Sequence, residues 1–206
     1  MRPSTKLKQK KIIEAASDLF LEQGYTQTNL DQIIERCGGS KQTIYSYFGD
    51  KRGLLTAVIG LSIERVAAIF NFRHDDDSPL EQQLVQLGNN FLHTVLQPCM
   101  VQTFRLLVTE SFHDKELAEF FMKEGPGRVS RYLEDFLESY MNKGKLVHAD
   151  PRIVCDHLIV LLKGNLLQDA QFGLPPPSKQ AIDEHVRQAV RCFLYGYQPR
   201  TAEAEA

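Results

Sequence analysis

The run Ser40-Lys41-Gln42-Thr43-Ile44-Tyr45-Ser46-Tyr47-Phe48 gathers side chains of a single chemical character in a 206-residue chain. If it is helical, Ile44 and Phe48 stand at i, i+4 and share a face that can enter a core. Lys41, Gln42, Thr43, Tyr45, Ser46 and Tyr47 then point outward. This set offers hydrogen-bond donors, acceptors and aromatic hydroxyls but no acid, which suits the base edges and phosphate oxygens of a major groove. Lys51 follows closely enough to reach a phosphate. Read without its surroundings, the same set is more often a solvated helix face.

No comparable set supports catalysis. Glu110-x-x-His113 has the spacing of half a di-iron helix site, but such a centre needs two pairs and further Glu ligands, and no second Glu-x-x-His occurs. Gly38-Gly39-Ser40 lacks the closing glycine of a nucleophile elbow, and neither a Walker A loop nor His-Glu-x-x-His is present. The cysteines at 37, 99, 155 and 192 form no Cys-x-x-Cys pair and read as reduced, mostly buried thiols. The expectation is a non-enzyme with no metal and no cofactor.

The elements that must position the run are all helical. Ile12, Ala15, Ala16, Leu19 and Phe20 repeat at helical spacing, and Gly24 stops that helix. Asn29 is placed to cap a second helix with Gln32 at the capping-box position, turning Leu30, Ile33, Ile34 and Cys37 inward. Gly38-Gly39 breaks it, and Ser40 caps a third helix to about Phe48. Two short helices about a glycine turn have helix-turn-helix proportions.

Longer helices follow. One runs from Asp50 to about Phe72, with Asp75-Asp76-Asp77 as a solvated loop. Ser78-Pro79-Leu80-Glu81 reads as a capping box opening a helix to Gln97. Segments at about 99 to 112 and 114 to 124 come next. After Gly125-Pro126-Gly127, the stripe Val129, Leu133, Phe136, Leu137 and Tyr140 runs to Gly144. A single helix is expected over 151 to 172, opened by Asp150-Pro151, and Ser178 caps the last, which reaches about Tyr195. No period-2 stretch and no repeat occurs. The fold class is therefore all-α, with nine or ten helices: a three-helix head at 1–50, a helical-bundle ligand-binding and dimerisation domain at 51–198, and a frayed tail at 199–206.

Charge follows the same division. Met1 to Arg52 holds nine Lys/Arg and six Asp/Glu, whereas the whole chain has a net charge of −2, so a basic head precedes an acidic body. The arm before Lys11 can add phosphate contacts whose affinity falls with salt. No stretch reaches the ~18 uninterrupted apolar residues of a membrane span, and no signal-type apolar run follows Lys6 to Lys11. The expectation is a cytoplasmic protein without a membrane partner.

The run Gly24-Tyr25-x-x-Thr28-Asn29-Leu30-x-x-Ile33, continued by Cys37-Gly38-Gly39 and the segment to Phe48, then Lys51-x-x-Leu54-Leu55, resembles the DNA-binding domain of TetR-family transcriptional regulators. The resemblance covers about residues 6 to 55. It implies that Lys41, Gln42, Thr43 and Ser46 approach bases, that Tyr45, Tyr47 and Lys51 hold the backbone, and that Asn29 meets a phosphate. Ser40 joins the same set. Ile34 and Gly39 stand where the family usually has Ala and Val, which predicts a looser turn. Beyond the head, Gln102 to Leu107 with Glu110, Glu116-Leu117-Ala118, Gly125-Pro126, Asp150-Pro151 and Leu161 to Leu166 resemble the C-terminal domain of the AefR-like subgroup. That resemblance implies a ligand-responsive, dimer-forming domain and names no ligand.

Within the body, Phe70, Phe91, Met100, Phe104, Phe120, Phe121, Tyr132 and Phe136 are candidates to line an effector pocket, with Phe112 and Tyr140 in the same aromatic set. Arg105, Glu110, His93 and His157 are candidate polar contacts. The segment 151 to 172 is apolar on more than one face, and the last helix carries one apolar stripe. Leu158, Leu161, Leu162, Val186, Val190 and Phe193 are accordingly expected at a two-fold interface. The reading is a homodimeric repressor that binds a pseudo-palindromic double-stranded operator and is released by a small molecule. The competing reading is an all-α small-molecule binding or interaction module that does not use DNA, and a helical metal oxygenase stands third.

Overall fold

The computed structural model describes residues 3–70 and 78–199. Among them the chain forms eleven helices and no strand: α1 (Pro3–Gln23), α2 (Leu30–Cys37), α3 (Lys41–Phe48), α4 (Lys51–Phe70), α5 (Leu80–Val95), α6 (Pro98–Ser111), α7 (Lys115–Glu124), α8 (Pro126–Asn142), α9 (Pro151–Lys163), α10 (Leu166–Gln171) and α11 (Lys179–Tyr197). The fold is all-α. The expected end of the fourth helix at Phe72, the loop at Asp75 to Asp77 and the tail beyond residue 199 lie outside the described residues.

The helices divide into two compact units. One holds α1 to α3, α4 as far as Glu64, α6 and α7; the other holds α4 from Arg65, α5 and α8 to α11. These units do not follow the expected boundary at residue 50, because Leu54, Leu55, Val58, Ile59 and Ile63 of α4, Leu107 of α6 and Leu117 of α7 share one core with the head. That core also takes Ile12, Ala15, Ala16, Leu19 and Phe20 of α1, Ile33 of α2 and Ile44 of α3, the inward positions read from periodicity. By length and composition α4 could cross a membrane. Its apolar side chains are instead explained by this burial.

The first helix is longer than its apolar stripe suggests. It begins at Pro3, because Lys and Gln are good helix formers and need no core face to continue the turn. A Lys10–Glu14 i, i+4 pair at 3.7 Å adds a small local contribution. Two other sequence expectations are corrected. The helix expected to open with a box at Ser78 starts one residue later: Pro79, with φ −56° and ψ 139°, occupies the capping position of α5 without a side-chain cap, and the Ser78 carbonyl accepts from Gln83 Nε2 at 2.8 Å. The single helix over 151 to 172 is split at Gly164, whose φ of 46° ends α9. The break leaves the Leu162 carbonyl to accept from His185 Nε2 at 2.9 Å.

In the second unit α11 packs on α5 and α9, and α8 packs on α9. The α8 stripe is buried throughout. α5 approaches its neighbours closely at Gly88, where a Cβ would lie 2.7 Å from Leu162 Cδ2 and 2.8 Å from Val186 Cγ1. This proximity corrects the expected interface set. Leu158, Leu162, Val186, Val190 and Phe193 are buried inside a single chain, so they fill its own core; Leu161 alone of the six is half-exposed. The thiols are also more exposed than expected. Cys155 is buried, and burial pushes its pKa up to about 11, whereas Cys99 and Cys192 are exposed and Cys37 is intermediate.

Truncating Leu162 to Ala should lower unfolding free energy by about 2–5 kcal/mol, the cost of a cavity among buried aliphatic side chains, measured by urea denaturation. A loss below about 0.5 kcal/mol would contradict its place in the core.

Candidate nucleic-acid interface

Each short helix of the head is fixed at its start by its own side chain. Asn29 Oδ1 accepts from Gln32 N at 3.0 Å while Gln32 Oε1 accepts from Asn29 N at 2.8 Å, completing the box that opens α2. α2 closes at Gly38 (φ 74°), whose N–H donates to the Ile34 carbonyl at 2.7 Å. Gly39 follows at φ 111°, a conformation that Val would enter only under strain. Ile34 is half-buried against the core. Ser40 Oγ then accepts from Thr43 N and starts α3.

α3 sorts its side chains as a two-faced helix. Ile44 is 1% exposed, and Phe48 packs partly buried on the same core. Lys41, Gln42 and Ser46 are exposed, and Tyr45 is 52% exposed. The remaining expected contacts are modified by local bonds. Tyr47 is not outward: it is half-buried against the core, edge-to-face with Phe48 at 6.1 Å between centroids. Ser40 Oγ and Thr43 Oγ1 lie 3.1 Å apart, so both hydroxyls belong to the cap. Lys41 pairs with Asp31 of α2 at 2.8 Å, which raises its pKa through the hydrogen bond.

Lys51 departs furthest from expectation. Its Nζ donates to the carbonyls of Tyr25 at 2.9 Å and Thr28 at 2.8 Å and sits 4.3 Å from the centroid of the Tyr25 ring. Burial pushes its pKa below the usual lysine value. The ammonium therefore closes the turn between α1 and α2 rather than standing open to a phosphate. Thr28 completes that turn, its buried hydroxyl donating to the Gly24 carbonyl at 2.8 Å. Tyr25 and Thr28 lay within the motif that carried the family resemblance, but their partnership with Lys51 had no signal in the spacing.

The first turn of α4 adds three further restraints. Asp50 Oδ1 accepts from Gly53 N at 2.7 Å, confirming Asp50 as the cap. Gly53 leaves no room for a Cβ, which would collide with the Phe48 carbonyl oxygen at the end of α3. Arg52 pairs through Nε and Nη2 with both oxygens of Asp114 and through Nη2 with Glu116. These three residues were not among the sequence candidates.

The expected effector residues are not brought into one unit. Phe70, Phe91, Tyr132 and Phe136 belong to the second, where Phe70 and Phe91 meet edge-to-face at 5.5 Å and Phe136 tilts on Tyr140 at 5.0 Å. Met100, Phe104, Phe120 and Phe121 belong to the first, where Phe104 and Phe121 meet edge-to-face at 6.0 Å; Phe112 is exposed. Among the polar candidates, His93 Nε2 lies 2.7 Å from Asp183 and His157 Nδ1 lies 2.6 Å from Tyr197 Oη. Arg105 and Glu110 line an open cavity of about 490 Å³ with Phe20 and Tyr25.

Comparison with known proteins addresses this arrangement directly. The sequence profile of bacterial regulatory proteins of the tetR family matches residues 12–58, and that of the AefR-like transcriptional repressor C-terminal domain matches residues 82–199. The chain belongs to the TetR family. The flavonoid-responsive regulator FrrA is 30% identical, with 95% of this chain and 100% of that chain covered and a TM-score of 0.79. A TetR-family regulator from Mesorhizobium loti described as putative, 23% identical over 96% of this chain and 100% of that one, superposes with a TM-score of 0.86 and shares the fold. The Bacillus subtilis regulator YuxN is 35% identical over 91 residues, and the matched chain spans only 31% of that protein's length and 42% of its own. As a TetR-family member, the protein is a DNA-binding regulator of transcription with a helix-turn-helix head.

Two substitutions test the head. Gln42→Ala should weaken DNA binding by ~1 to 3 kcal/mol and relax preference at one base position, measured against single-base variants of a bound site. Equal losses at every position would remove Gln42 from base reading. Lys51→Met keeps the aliphatic stem but deletes the ammonium; it should lower both melting temperature and affinity while leaving the salt dependence of binding unchanged. A slope smaller by about one would instead identify a phosphate contact.

Proposed function

We propose that this TetR-family regulator is a repressor that binds a pseudo-palindromic operator as a homodimer and leaves it when a small aromatic molecule binds. The observation that carries the reading is the face of α3, where Gln42, Tyr45 and Ser46 stand exposed while Ile44 anchors the helix beneath them. An eight-residue helix so anchored presents its polar groups at fixed spacing to base edges.

Symmetry is supported by the outer face of α9 and α11. With the inner residues assigned to the core, Ile153, Val160 (67% exposed) and Tyr195 (81% exposed) remain on the surface of these helices. A shallow apolar cavity of about 270 Å³ lies there, lined by His157, Val160, Leu161, Cys192, Phe193, Gly196 and Tyr197. A self-complementary apolar face on two packed helices suits a second copy of the chain. Two heads then read two half-sites about one helical turn apart, ~34 Å.

The effector class is supported by the second unit of this chain and by the likeness to FrrA, which is flavonoid-responsive. Its interior combines the Phe70–Phe91 and Phe136–Tyr140 ring pairs with Gln83, whose Nε2 donates to Tyr140 Oη at 2.8 Å. Flat rings with phenolic hydroxyls match that mixture of aromatic faces and amide or hydroxyl groups. α4 is one continuous helix with residues in both units, which offers a covalent route for a coupling of ~1 to 3 kcal/mol.

Selection of bound sites from random duplex DNA should recover an inverted repeat, and Tyr195→Glu should halve the light-scattering mass while preserving helicity. Enrichment of an unsymmetrical site, or an unchanged mass for the variant, would overturn the dimeric reading. The absence of any enrichment at low ionic strength would overturn operator binding itself.

A further inference from the structure

The position of α3 is tied to the first turn of α4 by more than the two-residue link Gly49-Asp50. Gly49, at φ 79°, closes α3 with its N–H on the Tyr45 carbonyl, and Gly53 of α4 lies directly against the Phe48 carbonyl, with no space for a Cβ. α3 cannot shift along α4 without breaking that approach. Whatever holds residues 50–53 therefore also sets where the exposed side chains of α3 stand.

Arg52 holds that turn from the side of α6 and α7. Its Nε lies 2.5 Å from Asp114 Oδ2, and its Nη2 lies 2.9 Å from Asp114 Oδ1 and 2.8 Å from Glu116 Oε2. A guanidinium engaged through two nitrogens by one carboxylate is fixed in direction as well as distance. The partner is itself anchored: Asp114 Oδ1 accepts from Leu117 N at 3.0 Å and its carbonyl accepts from Ala118 N at 3.3 Å, so Asp114 caps α7. Its side chain is only 21% exposed. The Arg52 guanidinium holds the Asp114 carboxyl down to about 2, so the pair is ionised at neutral pH.

We propose that Asp114 is a positioning residue for DNA binding, which acts through Arg52 on the first turn of α4 and through Gly53 on α3, without touching DNA. The proposal rests on the reading of α3 as the recognition helix. It extends the DNA-binding machinery to an acid 66 positions beyond Phe48, on the turn between α6 and α7. A carboxylate is an unexpected contributor to binding a polyanion. Its negative charge serves here to orient a cation within the protein.

Asp114→Asn is the decisive variant, because the amide oxygen can still accept from Leu117 N while the charge is removed. With DNA carrying the selected site, the expected result is affinity about ten-fold weaker than wild type, unchanged helicity and an unchanged salt slope. Asp114→Glu, which keeps the ion pair, should recover most of the loss. Unchanged affinity for Asp114→Asn beside normal wild-type binding would overturn the proposal. Tighter binding with a steeper salt slope would overturn it too, by showing that the freed Arg52 contacts a phosphate. Should Asp114→Asn lose helicity, Glu116→Gln, which removes a single exposed contact to Arg52, carries the same test: a smaller loss at constant slope supports the proposal, and no loss overturns it. If wild type itself fails to bind any duplex, it is the recognition-helix reading that fails.

Discussion

The head depends on burying Ile44. An eight-residue helix is too short to persist alone in water, since nucleation is costly and few hydrogen bonds follow it. α3 persists because Ile44 is withdrawn completely into a core shared with α1, α2 and α4, which stabilises it by about 1.5–3 kcal/mol, with Tyr47 and Phe48 packed beside it. Once that side chain is fixed, the helical repeat leaves no choice about the opposite face. Gln42, Tyr45 and Ser46 must stand in water, and their exposure is a consequence of packing below them.

Four consecutive residues then fix the next helix by four different means. Asp50 caps it, Lys51 closes the α1–α2 turn with its ammonium, Arg52 reaches the α6–α7 turn, and Gly53 admits the α3 carbonyl. This concentration explains why Lys51 is withdrawn from the solvent that a phosphate contact needs. A cation donating to two carbonyls over an aromatic ring is held by hydrogen bonds and by the ring face together. The basic character of the head is thus partly structural: some of its cations are committed to the fold, and Lys41 to Asp31.

The second unit shows how an apolar helix divides its loyalties. α9 carries apolar side chains on more than one face: Leu158 and Leu162 are buried, Leu162 closely packed at Gly88, while Ile153 and Val160 stay outside. Tyr195 of α11 stays outside as well, 81% exposed. The turn at Gly164 ends α9 where His185 Nε2 donates to the Leu162 carbonyl, so the chain bends between α9 and α10 without leaving that group unpaired.

Local rules made much of this legible. The 3.6-residue repeat identified the buried faces of α1, α2, α3 and α8, and Asn29, Ser40, Asp50, Asp150 and Ser178 announced their helices because a capping side chain acts within three residues of itself. The helix-turn-helix and the exposure of Lys41, Gln42, Tyr45 and Ser46 were readable for the same reason, whereas the half-burial of Tyr47 was not. Where the outcome depended on distant segments, pattern was silent. Arg52 and Asp114 are 62 positions apart, the carbonyls that take Lys51 lie on an earlier turn, and a hydrophobic stripe looks the same whether it meets its own core or another chain. The sequence by itself determined the all-α class, most helix starts and which residues are apolar, since these follow from neighbours along the backbone. Only the tertiary structure decided which cation is available, which apolar face is inside and where α3 is held, because those depend on distances that folding alone creates.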